Sequence, residues 1–429
     1  MKKLFLSALA IATLISCNNT QDDITPDNPI VDVPAEEPVE KVENIISEGR
    51  INVPEKYLDL NSTTNNFAWK VFAEILKDHK SENVVFSPFS MAVDLAMLNN
   101  GANGKTSSEI TSLLGLDGMS KSSINCYFNV LTEGLTQIDP TVKFVSSNAI
   151  WYARSITMKS PFIKTLKDMY LADTNSADLQ TQKTVDDINK WCSEKTFGMI
   201  PTLIDDPSYM PNVLALLNAT YIKAPWTEAF DKLLTGQYRF TTENGPVLTD
   251  FMVADKNIIW YKDNEMRMGF FNMGKSEKFD MFFALPAEGK SLEATYNYMK
   301  DNWDKLSDCR ETQLVCVSIP KYETSFSIEL NDYFQNLGCS SMFDALTADL
   351  NGITDSGVCI QSAFQKTKFI VDEDGAEGAA VSGLKVNSVG ESTVEHPSLI
   401  LNRPFIFGMR EKTTGVIIFL GVVNNPKAG

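Results

Sequence analysis

Residues 83–110 read NVVFSPFSMAVDLAMLNNGANGKTSSEI. Ser87 offers a side-chain oxygen to the free N–H groups at a helix start, and Pro88 presets the first helical φ while lacking an N–H that would find no partner there. A helix is therefore expected from Pro88 to near Gly101. Thr106-Ser-Ser-Glu109 has the spacing of a reciprocal capping box, followed by Ile110, Leu113, Leu114 and a terminating Gly115.

Upstream, Phe67, Val71, Phe72, Ile75 and Leu76 share one face at helical spacing and predict a first amphipathic helix. Downstream, Ser160-Pro161 and Thr184-Val-Asp-Asp187 open two further helices by the same capping chemistry. Strand-like runs lie between and after them: FVSSNAIWYA from Phe144, VLALLNATYIKA from Val213, FDMFFALPA from Phe279 and QLVCVSIPKY from Gln313. The carboxyl end reads LILNRPFIFGM and GVIIFLGVV, separated by a turn at Lys412-Thr-Thr-Gly415. Helices come first, strands dominate later and nothing repeats, which predicts one mixed α+β domain.

Of the 429 residues, 43% are apolar and 22% charged, the composition of a globular chain with ample core material. A formal net charge of -17 supplies no counter-charge for nucleic acid, heparin-like polymers or anionic lipid surfaces, and serves solubility. Only His79 and His396 are available as a histidine base. Seven cysteines, Cys17, Cys126, Cys192, Cys309, Cys316, Cys339 and Cys359, form no C-x-x-C pair and no metal-ligand spacing. Those after Cys17 read as small buried hydrophobes, and neither a metal nor a cofactor is expected.

Residues 1–17 read as a lipoprotein signal. Lys2 and Lys3 precede an apolar run from Leu4 to Ile15, too short to span a bilayer, and Leu14-Ile15-Ser16-Cys17 resembles the bacterial lipobox whose cysteine is acylated. Residues 18–50 read as an acidic linker, with Pro26, Pro29, Pro34 and Pro38 among acids such as Asp22, Asp23, Glu36, Glu37 and Glu40. Such a segment cannot bury enough apolar surface to fold and acts as an extended spacer. Gln21-Asp22-Asp23 resembles the acidic signal for the outer face in Bacteroidetes-like bacteria. The chain is thus expected to be exported and lipid-anchored to the outer membrane, touching membrane only through that lipid, with a folded domain over 51–429.

Four stretches carry a resemblance to the serpin family along Ile51 to Pro426. They are the Asn83–Ile110 segment, LLNATYIKAPW ending at Trp226, the turn Asp349-Leu-Asn-Gly352-Ile353, and LNRPFIFGMREKTTGVIIFLGVV. The resemblance implies the serpin fold: helices around three β-sheets, an exposed reactive-centre loop, and a large central sheet able to accept another strand.

VDEDGAEGAAVSGLKVNSVGESTVEHP, from Val371, is similar to the family's hinge and reactive loop. Glu373, Gly375, Glu377, Ala379 and Ala380 match, while Ala376, Gly378 and Ser382 are small replacements. The residue chemistry agrees, since a segment entering a half-buried sheet must alternate at period two. Ala376, Gly378, Ala380, Ser382, Leu384 and Val386 form a small or apolar face, and the opposite face holds both charges, Glu377 and Lys385.

What the resemblance implies is an inhibitor, not an enzyme. A serine or cysteine protease cuts the loop and is trapped as the acyl-enzyme while the cut loop inserts as a new strand. Lys321, Trp226 and the hinge Glu373 would meet at the top of the sheet, and Ser87, Ser90, Asn218 and Gln365 where the sheet parts. Gln365 stands where the family commonly has histidine, so the opening should be insensitive to pH between 5 and 8. The family register places the reactive bond at Val389–Gly390, fourteen residues after Gly375. A β-branched side chain suits a shallow pocket and lacks the cation a trypsin-like aspartate requires, so elastase-like proteases come first and subtilisin-like ones second. The loop is longer than usual, which leaves cleavage after Val394 open. A monomer is expected. Two other functions stay open: a non-inhibitory serpin-fold binding or storage protein, and an exported polymer hydrolase.

Overall fold

The structure, a computed structural model, describes residues 41–211, 213–376 and 397–428. A two-strand clasp, β1 (Ile46–Ser47) and β2 (Arg50–Ile51), leads into α1 (Leu60–Asp78), β3 (Val84–Phe86), α2 (Pro88–Asn99), α3 (Gly104–Leu114) and α4 (Lys121–Gln137). Next come β4 (Lys143–Ala153), α5 (Ser160–Tyr170), β5 (Asp173–Ala177), α6 (Gln182–Lys195) and β6 (Leu214–Pro225). β7 (Gly236–Thr242), β8 (Gly245–Lys262), β9 (Met266–Met273), β10 (Phe279–Pro286), α7 (Leu292–Ser307) and β11 (Thr312–Pro320) follow. The chain continues through β12 (Tyr322–Glu329), α8 (Asn331–Asn336), β13 (Phe364–Asp372), β14 (Gly375–Ala376), β15 (Ser398–Ile400), β16 (Phe405–Glu411) and β17 (Ile417–Val423).

The central sheet has the order β12-β13-β14-β6-β4-β5. The remaining long strands form a network that turns at β8, whose residues 245–251 pair with β7, 251–259 with β11 and 259–262 with β9. β8 thus joins a small sheet (β15, β11, β8, β7) to a larger one (β8, β9, β10, β16, β17, β3), which gives three sheets with helices packed around them. In β6, Leu214, Ile222 and Ala224 face the main core, while Ala215, Leu217 and Ala219 face a second core closed by Val185, Ile188 and Cys192 of α6. The period-two pattern therefore buries this strand on both faces.

Several local expectations meet longer-range competition. The folded chain begins before residue 51, because Ile45 and Ile51 join the main core and Ile51 packs directly on Gly134. The linker reading is too long at that end. The capping box in α3 does not form: Thr106 Oγ1 accepts from Asp349 N at 2.9 Å, and Glu109 accepts from Ser340 and Ser341. α6 is capped by Thr181, whose Oγ1 accepts from Thr184 N, so it starts earlier than Thr184 suggests. LILNRPFIFGM is not one strand. Its first part, β15, runs parallel to β11, and β16 resumes after Pro404 beside β10. Cys126, Cys192 and Cys339 are buried, but Cys309, Cys316 and Cys359 are half-buried.

The turn at Asp349–Ile353 lies against the end of α2, because two glycines permit the approach. A methyl on Gly101 would fall 2.1 Å from Ile353 Cγ1, and one on Gly352 would fall 2.8 Å from the Gly101 carbonyl oxygen. Gly352 N donates to that oxygen at 2.9 Å. Gly101→Ala should overpack the junction and cost about 1–3 kcal/mol, seen as a lower urea midpoint at unchanged slope.

Candidate functional site

β14 is two residues long and pairs antiparallel on both sides: Ala376 lies opposite Val371 of β13 and Ala224 of β6, and Gly375 opposite Asp372 and Pro225. β6 and β13 are consequently parallel to each other. Beyond β14, no ladder among the described residues joins them, although each is paired along most of its other edge, β6 over 214–223 with β4 and β13 over 364–371 with β12. Gly375 is required at this entry. Its φ is +147°, and a Cβ would sit 2.3 Å from the Ala224 carbonyl oxygen.

The turn feeding β14 is pinned from three directions. Lys321 Nζ lies 2.8 Å from Glu373 Oε2, and Thr235 Oγ1 donates to Glu373 Oε1 at 2.8 Å. Burial alone would raise the Glu373 carboxyl, but the hydrogen bonds from Lys321 and Thr235 outweigh it and hold it below the usual range. This stabilisation is present above the ordinary carboxylate pKa and is lost as pH falls through the depressed value. Trp226 Nε1 donates to Asp372 O at 2.8 Å, and the backbone N–H groups of Trp226 and Phe230 reach Asp374 O and Glu373 O. Lys232 pairs with Asp374 at 2.8 Å.

A second polar cluster lies deeper. Ser87 caps α2 through Ser90 N and donates its hydroxyl to Ile418 O of β17 at 2.8 Å. Ser87 N donates to Gln365 Oε1 at 2.8 Å, and Gln365 Nε2 donates back to Ser87 O at 3.2 Å. Ser90 Oγ donates to Asn218 Oδ1, and Asn218 Nδ2 reaches Asn148 Oδ1 at 2.7 Å. α2 thus holds β13 through Ser87 and β6 through Ser90, at the level where those strands flank the same position. None of these groups ionises near neutrality.

The structure brings Lys321, Trp226, Glu373, Gly375 and Ala376 into one cluster and Ser87, Ser90, Asn218 and Gln365 into the other. Glu377, Gly378, Ala379, Ala380, Ser382, Val389, Gly390 and Cys17 lie outside the described residues. Sequence reading missed Thr235, Asn148 and Thr220, whose hydroxyl also donates to Asn218 Oδ1 at 2.6 Å. His79 sits between Glu82 and Tyr333, away from both clusters.

Known proteins agree with this geometry. The sequence pattern of the family described as Serpin (serine protease inhibitor) matches residues 62–426. An uncharacterised serpin-like protein of Thermococcus kodakarensis is 26% identical over 369 residues, 85% of each chain. Serpin A3-3 of Bos taurus is 30% identical over 378 residues, 86% of this chain and 89% of that one. Among solved structures, the thermophilic serpin tengpin in its native state has a TM-score of 0.79 at 26% identity, over 89% of this chain and 96% of that one. Thyroxine-binding globulin complexed with thyroxine has a TM-score of 0.77 at 25% identity, over 86% and 99%. A mixed fold of three sheets with helices packed around them, matched over most of its length by solved serpins, is the serpin fold. The chain belongs to the serpin family.

Two outcomes follow from the clusters. Glu373→Lys places two cations together; because Lys321 is 37% exposed, the loss should lie between the roughly 1 kcal/mol of a surface pair and the 3–5 kcal/mol of a sealed one. The variant should form polymers on native gels after mild heating, where the parent stays monomeric. With Gln365 in the deeper cluster, the rate of sheet opening should show no inflection near pH 6.5, measured by stopped-flow fluorescence and corrected for the protease.

Proposed function

We infer that this chain inhibits serine endopeptidases by suicide-substrate trapping, with elastase-like enzymes as first targets. The observation that carries the reading is β14: a strand already started between β6 and β13, in register with both. The protease serine attacks the Val389 carbonyl carbon, the amine of Gly390 leaves, and the ester to Val389 remains. Insertion of the freed segment after β14 carries the acylated enzyme away before water hydrolyses the ester. Each added hydrogen bond contributes about 1 kcal/mol net, against an ordering cost of about 1–2 kcal/mol per residue, so release of strain in the uncleaved sheet supplies the remaining drive. The small hinge side chains keep this path free of bulk.

The same reading places the protein outside the cell as a monomer, exported through the segment ending at Cys17 and held to the outer membrane by a lipid on that cysteine. Metabolic labelling with a fatty acid, lost in Cys17→Ala, tests the anchor.

For inhibition, the purified protein is mixed separately with elastase and trypsin. Elastase should give a denaturant-resistant covalent complex and release a carboxyl-terminal peptide beginning at Gly390. A peptide beginning at Glu395 moves the bond to Val394. Rapid cleavage by several proteases without a complex overturns the inhibitor reading in favour of a non-inhibitory binding protein.

A further inference from the structure

β14 sets the register for any longer strand at its position. Continued without a bulge from the pairs at Ala376, the chain would bring Ser382 opposite Asn218 and Gln365, and Leu384 opposite Leu216 and Ala363. Directly opposed side chains share a face, and Ala376, Ala224 and Val371 all belong to the main core. Leu384 would therefore point inward, and Lys385 outward.

A cavity of about 50 Å3 lies at that depth, with Leu216 and Ala363 both in its wall. Met91 and Leu95 of α2 and Phe334 of α8 line it too, and so does one acid, Asp94. Asp94 stands one helical turn beyond Ser90, the residue that holds Asn218. Its Oδ1 is sealed from solvent and has no hydrogen-bond partner among the described residues. The other polar lining groups, Ser362 and Gln365, do not ionise, and no charged group on α2, β6, α8 or the segment entering β13 faces the carboxyl. A volume of that size has room for a few waters.

Building on the loop-insertion reading above, we propose that this cavity is the seat of Leu384 when the loop enters the sheet, and that Asp94 must carry its proton for the seat to be filled. Burial already pushes the Asp94 carboxyl up to about 8. A leucine covering it expels the water that an ionised carboxylate needs, so the inserted form disfavours the charge more strongly than the uninserted form does. Insertion is accordingly indifferent to pH well below 8 and weakens as pH rises through that value. This leaves the range around 6.5 flat and puts the Asp94 inflection on the alkaline side.

The test uses the intact protein and an amino-acetylated peptide of residues 376–386, annealed at pH 7 and pH 9 and followed by native gel shift. Annealing to the parent should fall about tenfold between the two values. Asp94→Asn should anneal equally at both. A peptide carrying Leu384→Ala should anneal at least tenfold more weakly than the parent peptide at pH 7. Equal pH dependence in the parent and Asp94→Asn, or unaltered annealing of the Leu384→Ala peptide, overturns the proposal. Absence of annealing at any pH overturns it together with loop insertion, whereas annealing without a covalent protease complex removes the inhibitor reading and leaves the seat standing.

Discussion

The facing edges of β6 and β13 are the constraint on which the rest of this molecule depends. Buried backbone N–H and C=O groups need partners, and two parallel strands that both pair antiparallel with β14 are matched along their length by one continuing strand of that direction. β14 supplies two residues of such a strand. The two polar clusters sit at the points where this edge can be held or released.

The clusters work differently. Around Glu373, charge and backbone contacts fix a turn, and Gly375 lets the chain pass within contact distance of β6. Around Ser87 and Ser90, neutral hydrogen bonds tie α2 to both strands and, through Ile418, to β17 in a different sheet. Parting β6 from β13 therefore asks α2 to give up one neighbour or to move with it. A network of neutral donors and acceptors can exchange partners during such a movement without stranding a charge, which the Lys321–Glu373 pair cannot.

Much of this was legible where the determinants are local. The Ser87-Pro88 start of α2 and the Gly115 end of α3 depend on side chains within a turn of the helix terminus, and both form. Thr106 and Glu109 had the right local spacing and were drawn away by the 340–349 segment, which sequence proximity cannot reveal. Asn218 and Glu373 lie inside the stretches that resemble the family, while Lys321 and Gln365 lie outside them and were placed by matching positions in the family. Thr235 and Asn148 lie outside those stretches and meet their partners only through tertiary pairing. Asp94 is the one charged residue of an otherwise largely apolar α2, and only the β6 register shows what it faces. The carboxyl-terminal run looked continuous since its apolar character is unbroken, yet Leu401–Pro404 crosses from one sheet to another.

The β1–β2 clasp determines how a pull on the amino terminus would travel. Ile51 bears on Gly134 in α4, and its N–H reaches Thr413 Oγ1 in the turn between β16 and β17. A load entering near residue 41 is thus delivered to α4 and that turn, with neither β13 nor the Glu373 cluster first in line. Two paired residues per strand make a weak fastening, marginal without the core beneath it. Under such a load it would peel as a mechanical fuse, adding a few residues to the extended segment before α1 and dissipating the pull before tension reached the central sheet.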